Sequence, residues 1–162
     1  MSMESIETVD SKKQLCTFTV NNLLFGVDLV DVQEVIRCQE TTPVPLAPAV
    51  VSGLINLRGQ IVTALDMRAR MGLAPRPQGA SATNIVVRHA GGVLSLVVDE
   101  IGDVVEVDST SYERAPETLP APSRALIDGV YKLKPQLLLL LNTQKAVRVD
   151  AAQAPSRNPH VQ

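Results

Sequence analysis

The feature that most restricts how this 162-residue chain can fold is that part of it repeats. Residues 26–36 (GVDLVDVQEVI) align without gaps on residues 95–105 (SLVVDEIGDVV), which sets Asp31 on Glu100 and Glu34 on Asp103. Residues 53–66 (GLINLRGQIVTALD) align in the same way on 129–142 (GVYKLKPQLLLLLN). A repeat of this kind means two copies of one supersecondary unit, and it outranks local propensity in deciding the fold. Each copy of about 70 residues reads as a hairpin, an acidic-apolar strand, a connection, then a glycine, a tight turn and a strongly apolar strand.

Short segments rich in Val, Ile, Leu and Thr lie between Pro- and Gly-rich breaks: QLCTFTV, LLFGVDLVDVQEVI, GQIVTALDM, NIVVRHA, GVLSLVVDEIGDVVEVD and QLLLLLN. This is a pattern of short strands. Hairpin turns are expected at Asn21-Asn22 and Gly91-Gly92, because both pairs tolerate positive φ. Helix is minor: one short segment after Asp66 (MRARM, closed by Gly72), another at residues 144–148, and a single turn within PVPLAPAVVSG. The stretches GLAPRPQGAS and RAPETLPAPS read as loops. Residues 1–13 and 150–162, polar or small and without apolar periodicity, read as flexible tails. Five strands per copy suit a small barrel, since closing a sheet removes its edges. Two such barrels side by side are expected to leave a groove, a natural docking site.

Composition removes several classes of function. Fifteen basic and 17 acidic residues give a net charge of −2 with no run of one sign, whereas phosphate-backbone binding needs a clustered basic face. Two Phe, two Tyr and no Trp offer little for bases to stack on, and imply a core of aliphatic packing rather than aromatic stacking. Nucleic acid is not an expected partner. Cys16 and Cys38 form no CxxC pair and are too few for a secreted disulfide scaffold, so two unpaired thiols in a reducing cytoplasm are expected. The segment MSMESIETVDSKK has no apolar stretch for export. The longest apolar run, from Leu137 to Leu141, falls far short of the ~20 residues of a spanning helix, so any membrane association goes through a partner.

No phosphate-cradling Gly-Lys-Ser loop, GxSxG elbow or HExxH helix is present, and of the two histidines His160 lies in the tail while His89 sits beside the Gly-Gly turn as an exposed turn residue. No catalytic residue, metal site or cofactor is assigned. Asp99, Glu100 and Asp103 lack a nearby His or Cys to complete a transition-metal site. Asn56-Leu57-Arg58-Gly59 reads as a hairpin turn that lifts Arg58 into solvent, and two readings of Arg58 stand: a plain solvated turn residue, or a planar fork for an acidic or carbonyl partner. Asp28, Asp31 and Glu34 alternate with Leu29, Val32 and Val35 as a solvated acidic face. Val30, Val32 and Ile36 add more apolar surface than one face of a small barrel needs, as a contact patch would.

Taken in order, FGVDLVDVQEVI, PVPLAPAVVSGLINLRGQIVTALDMRARMGL and LSLVVDEIGDVVEVD resemble the CheW domain family over about residues 14–149. The resemblance implies an all-β fold of two five-stranded SH3-like barrels with minor short helices, the first over about 14–82 and the second over about 83–149. It implies a non-catalytic adaptor in the cytoplasm, recruited to membrane-associated receptor arrays. The implied partners are the cytoplasmic tip of a chemoreceptor and the regulatory domain of the histidine kinase CheA. By the same resemblance Val32, Glu34, Gly53 and Arg58 face the receptor, and Val30, Ile36, Glu117 and Leu119 face the kinase. The chain departs from the family at Thr63, where Pro is frequent, at Lys134-Pro135, which replaces an Asp-Gly type of turn and implies a wider hairpin, and at the Pro-rich loop 75–81. Two other readings compete: a CheW-like module of a non-chemotactic array, and a small hydrolase built on the acidic cluster, which requires a buried, pKa-shifted carboxylate pair.

Overall fold

Where β-branched and apolar residues alternate with polar ones the chain is strand, and the Pro- and Gly-rich breaks are connections. The computed structural model describes residues 12–37, 40–133 and 136–148. Eleven strands run β1 (Lys12–Val20), β2 (Leu23–Asp28), β3 (Val32–Arg37), β4 (Val51–Leu57), β5 (Gln60–Asp66), β6 (Thr83–His89), β7 (Gly92–Val98), β8 (Glu100–Asp108), β9 (Tyr112–Glu113), β10 (Ile127–Leu133) and β11 (Gln136–Leu141). Three short helices follow β5, precede β10 and follow β11: α1 (Met67–Arg70), α2 (Ala121–Arg124) and α3 (Thr143–Val147). Asp66 and Asn142, equivalent positions of the repeat, cap α1 and α3 with their side-chain oxygens.

Several expectations need correction. The expected flexible tail of residues 1–13 is too long at its end, since Lys12 and Lys13 already pair with Asp108 and Val107 in β1–β8. Residues 1–11 and 149–162, Cys38 and the Lys134-Pro135 turn lie outside the described residues. The second hairpin turns at Ala90-Gly91, one residue early, because His89 pairs with Gly92. PVPLAPAVVSG makes non-helical turns, and α2, begun after Pro120, occupies part of a stretch read as loop. Aromatic stacking is present: Phe18 and Phe25 stack at 5.6 Å between ring centroids, and Tyr112 meets Tyr131 edge-on at 5.2 Å.

Two sheets form, and their composition corrects the expected barrel boundaries. The central sheet has the order β3-β6-β7-β5-β4, all from residues 32–98, and the terminal sheet the order β8-β1-β2-β11-β10-β9. Each copy of the repeat gives its leading hairpin to the other copy's sheet: β1–β2 joins β8–β11, and β6–β7 joins β3–β5. The parallel junctions match across the repeat, Leu140 with Gly26 in one sheet and Ala64 with Ser95 in the other. The terminal sheet has six strands instead of five, since β9 pairs with β10 through Val130 and Glu113. Its counterpart in the central sheet is the single bridge between Thr42 and Leu54.

Both sheets roll up. The outermost strands of the terminal sheet, β8 and β9, are joined by only the 3-10 turn Ser109–Ser111. In the central sheet Thr42, which follows edge strand β3, bonds the opposite edge β4. The expected groove between barrels is filled. The largest apolar cluster, with Phe18, Phe25, Leu65, Ile85, Leu96 and Leu139, draws on both sheets, while smaller clusters around Ile55 and Leu138 line the interior of each.

The chain passes between sheets at two points: the 3-10 turn Leu29–Asp31, between β2 and β3, and Asp99 alone, between β7 and β8. Asp99 is heavily tied. Arg68 of α1 grips both of its carboxylate oxygens, at 3.0 and 2.8 Å, Arg76 donates at 3.0 Å, and the Asn21 amide of the β1–β2 turn donates at 2.7 Å. Burial pushes this carboxyl up, but the hydrogen bonds from Arg68, Asn21 and Arg76 outweigh it and hold the pKa at about 2. A depressed folded-state pKa adds stability above the ordinary value of 3.8 that is lost as pH falls toward about 2. Asp99→Asn should therefore cost roughly 2 kcal/mol at neutral pH, and urea melts of the two proteins should converge between about pH 4 and 2; parallel curves over that range would contradict this.

Candidate docking site

The Arg58 turn is built by its own sequence. Leu57 pairs with Gln60, leaving a two-residue loop in which Arg58 and Gly59 both take positive φ, 54° and 91°. The Asn56 side chain accepts from the Gly59 amide at 2.8 Å. Asn or Gly suits the first loop position of such a turn, so an arginine there carries backbone strain.

Arg58 finds its acid within the chain. Its guanidinium meets Glu34 of β3 as a fork, with Nη1 at 3.2 Å from Oε2 and Nη2 against Oε1. The Arg58 side chain is 71% exposed and that of Glu34 is 24% exposed. Glu34, by hydrogen bond and charge, holds the Arg58 guanidinium above its usual pKa. The pair joins the β4–β5 turn to the opposite edge strand, so its outer face is a preformed charged corner. Beside it in sequence, Val35 and Ile61 are exposed large hydrophobics.

Gly53 belongs to the backbone of this region. It is buried, and a Cβ there would lie 2.5 Å from the Thr42 carbonyl oxygen. Gly129, its repeat equivalent, is closed the same way by Tyr112 and by the Glu113 carbonyl oxygen. Val32 is half-buried at the head of β3 and packs on the shared cluster. Arg58 and Glu34 thus come together, while Gly53 and Val32 shape the frame beneath.

The residues assigned to a kinase contact divide. Val30 is 73% exposed at the apex of the first crossing, with its amide held by Asp28 and its carbonyl by Arg88. Asp31 beside it is pushed up in pKa by burial and by the Asp28 charge. Ile36 packs on the central sheet's inner cluster, and Leu119 on the shared one. Glu117 is exposed, and Arg124 bonds the carbonyls of both Glu117 and Leu119. Arg124, which fixes this loop, was missed because a lone arginine after Pro-Ser gives no signal by itself.

Within the acidic cluster, Asp99 is committed to ion pairs. Asp99 is half-buried and bonded to two guanidiniums, and a carboxyl held at about 2 is not protonated near neutrality. Among the described residues no group of His, Cys, Asp and Glu could hold a metal, and no helix is long and apolar enough to cross a membrane. Cys16 is a free, buried thiol whose pKa burial raises. His89 is half-buried and accepts from the Gly91 amide.

The family model of the CheW-like domain matches residues 14–151. The chain belongs to the CheW-like domain family. Relatives in this family include the chemotaxis protein CheW of Treponema pallidum, 27% identical over 140 residues covering 84% of this chain and 82% of the relative. The CheW of Rhizobium meliloti is 29% identical over 129 residues, covering 80% and 83%. The crystal structure of the scaffolding protein TtCheW from Thermoanaerobacter tengcongensis superposes with a TM-score of 0.76 at 27% identity, over 87% of this chain and 96% of that one.

Gly53→Ala should cost roughly 1–3 kcal/mol, since β4 must move off Thr42. Arg58→Asn keeps a residue that tolerates positive φ and should hold or raise Tm. Thermal melts check both; an unchanged Tm in the Gly53 variant would remove its role as frame.

Proposed function

We propose that this chain is a non-catalytic adaptor of chemotaxis signalling that couples chemoreceptors to a CheA-type histidine kinase. The supporting observation is the Arg58–Glu34 corner, an exposed guanidinium fork on a strained turn in a member of a scaffold family. The receptor's cytoplasmic tip lies against this corner, with Val32 and Gly53 setting the backbone beneath. The exposed crossing at Val30 and the loop carrying Glu117 meet the kinase, with Ile36 and Leu119 anchoring those surfaces from inside. The protein works in the cytoplasm, at membrane-associated receptor arrays, and holds no cofactor.

Because Arg58 already has an internal acid, a receptor group competes with Glu34 or bridges to the free edge of the fork. Arg58→Glu sets two carboxylates face to face and should weaken receptor-fragment binding in a titration by tenfold or more in Kd, a loss of at least about 1.4 kcal/mol of binding. Exchanging the two charges, Arg58→Glu with Glu34→Arg, restores the internal pair but moves the fork to β3. If the exchange restored receptor affinity, Arg58 would be a structural tie and not a contact. Incubation with active kinase should leave this chain unlabelled by phosphate, since the sequence supplies no residue set for phosphoryl transfer. Labelled protein would overturn the non-catalytic reading.

A further inference from the structure

The two crossings are equivalent positions of the repeat, Val30 on Asp99, yet they are held differently. The first presents an exposed Val30 with Asp28 and Arg88 bonding only its backbone. The second is clamped from four directions. Arg68 comes from the helix after β5 of the central sheet, Arg76 from the following loop, and Asn21 from the β1–β2 turn of the terminal sheet. The Asp99 amide donates at 3.0 Å to the Thr19 carbonyl of β1. Asp66, the cap of α1, lies 3.7 Å from the buried Arg76 Nη2, which has no hydrogen bond. The burial of the shared apolar cluster is itself a force without direction. A two-oxygen guanidinium clamp has one.

We infer that Asp99, gripped by Arg68 and Arg76 and bonded to the Asn21 amide, is the positioning residue that fixes the two sheets in one orientation and so couples the receptor-facing corner at Arg58 on the central sheet to the kinase-facing loop that carries Glu117 on the terminal sheet. This rests on the adaptor reading for its functional half only. Asp99 touches neither proposed surface; it acts through the sheets.

The test uses the full chain with Asp99→Asn, and Arg76→Gln should Asp99→Asn fail to fold. Amide residual dipolar couplings are fitted separately to residues 32–98 and to residues 12–28 with 100–141. Wild type should give one alignment tensor for both sheets, and the variant two that differ in orientation or magnitude. In titrations the variant should bind a receptor fragment alone, and the kinase regulatory domain alone, within about twofold of wild type. Receptor affinity for the preformed complex with kinase should fall on the order of tenfold, the size of an ordinary coupling between sites. A merely stabilising Asp99 would lower Tm and leave the tensors common and the ternary affinity unchanged, and that result overturns the inference. If wild type bound neither fragment the adaptor reading would fall, and the dipolar couplings would still decide whether the clamp sets the angle.

Discussion

Each copy of the repeat bonds its leading hairpin into the sheet of the other copy, and the rest of the structure follows from that exchange. Neither copy can satisfy its own backbone alone, since β3, β4 and β5 need β6 and β7 between them, and β8 needs β1. Buried N–H and C=O groups must be paired, so the two copies fold together or not at all. The exchange also places the outer faces of both hairpins against one another, which is why the largest apolar cluster lies between the sheets and the inner clusters are small.

With the core committed to the space between sheets, specificity falls to a few directional contacts. Gly53 and Gly129 let a covering segment approach each sheet at the same point. A buried Asn84–Ser95 hydrogen bond of 2.8 Å stands in the central sheet where the terminal sheet has Leu15 and Gly26. Polar pairs of this kind are costly unless satisfied, and here they fix register where aliphatic packing would tolerate slips.

The strand content, the repeat, the Asn21-Asn22 and Arg58-Gly59 turns and the helices after Asp66 and Asn142 were legible, because turn chemistry and capping are local. The exchange was not. Residues 23–36 and 92–108 each read as one continuous strand segment, and each is broken where the chain changes sheets, at residues 29–31 and at Asp99. Apolar alternation continues through both breaks because residues on either side are half-buried against the same shared cluster. At the site, the exposure of Arg58 was legible from its turn, but its bond to Glu34 was not, since 24 residues separate them and only the roll of the sheet brings them together. Likewise Asp99 carried no sign of its arginines, which arrive from a helix and a loop of the other copy.

Duplication by itself yields two equal barrels, whereas an adaptor needs two unequal faces, so function should sit where equivalent positions have diverged. The described divergences obey this. Val30 and Asp99 occupy the same place in the repeat, and one is exposed apolar surface while the other is a carboxylate bonded by two arginines and a backbone amide. Val35 and Val104, and Ile61 and Leu137, by contrast, have stayed apolar and exposed in both copies. The conserved chemistry between copies therefore marks what the fold requires or what both faces share. The substituted positions mark where the two copies present different surfaces: an exposed apolar side chain at the crossing that carries Val30, and a carboxylate bonded to two guanidiniums at the crossing that Asp99 closes.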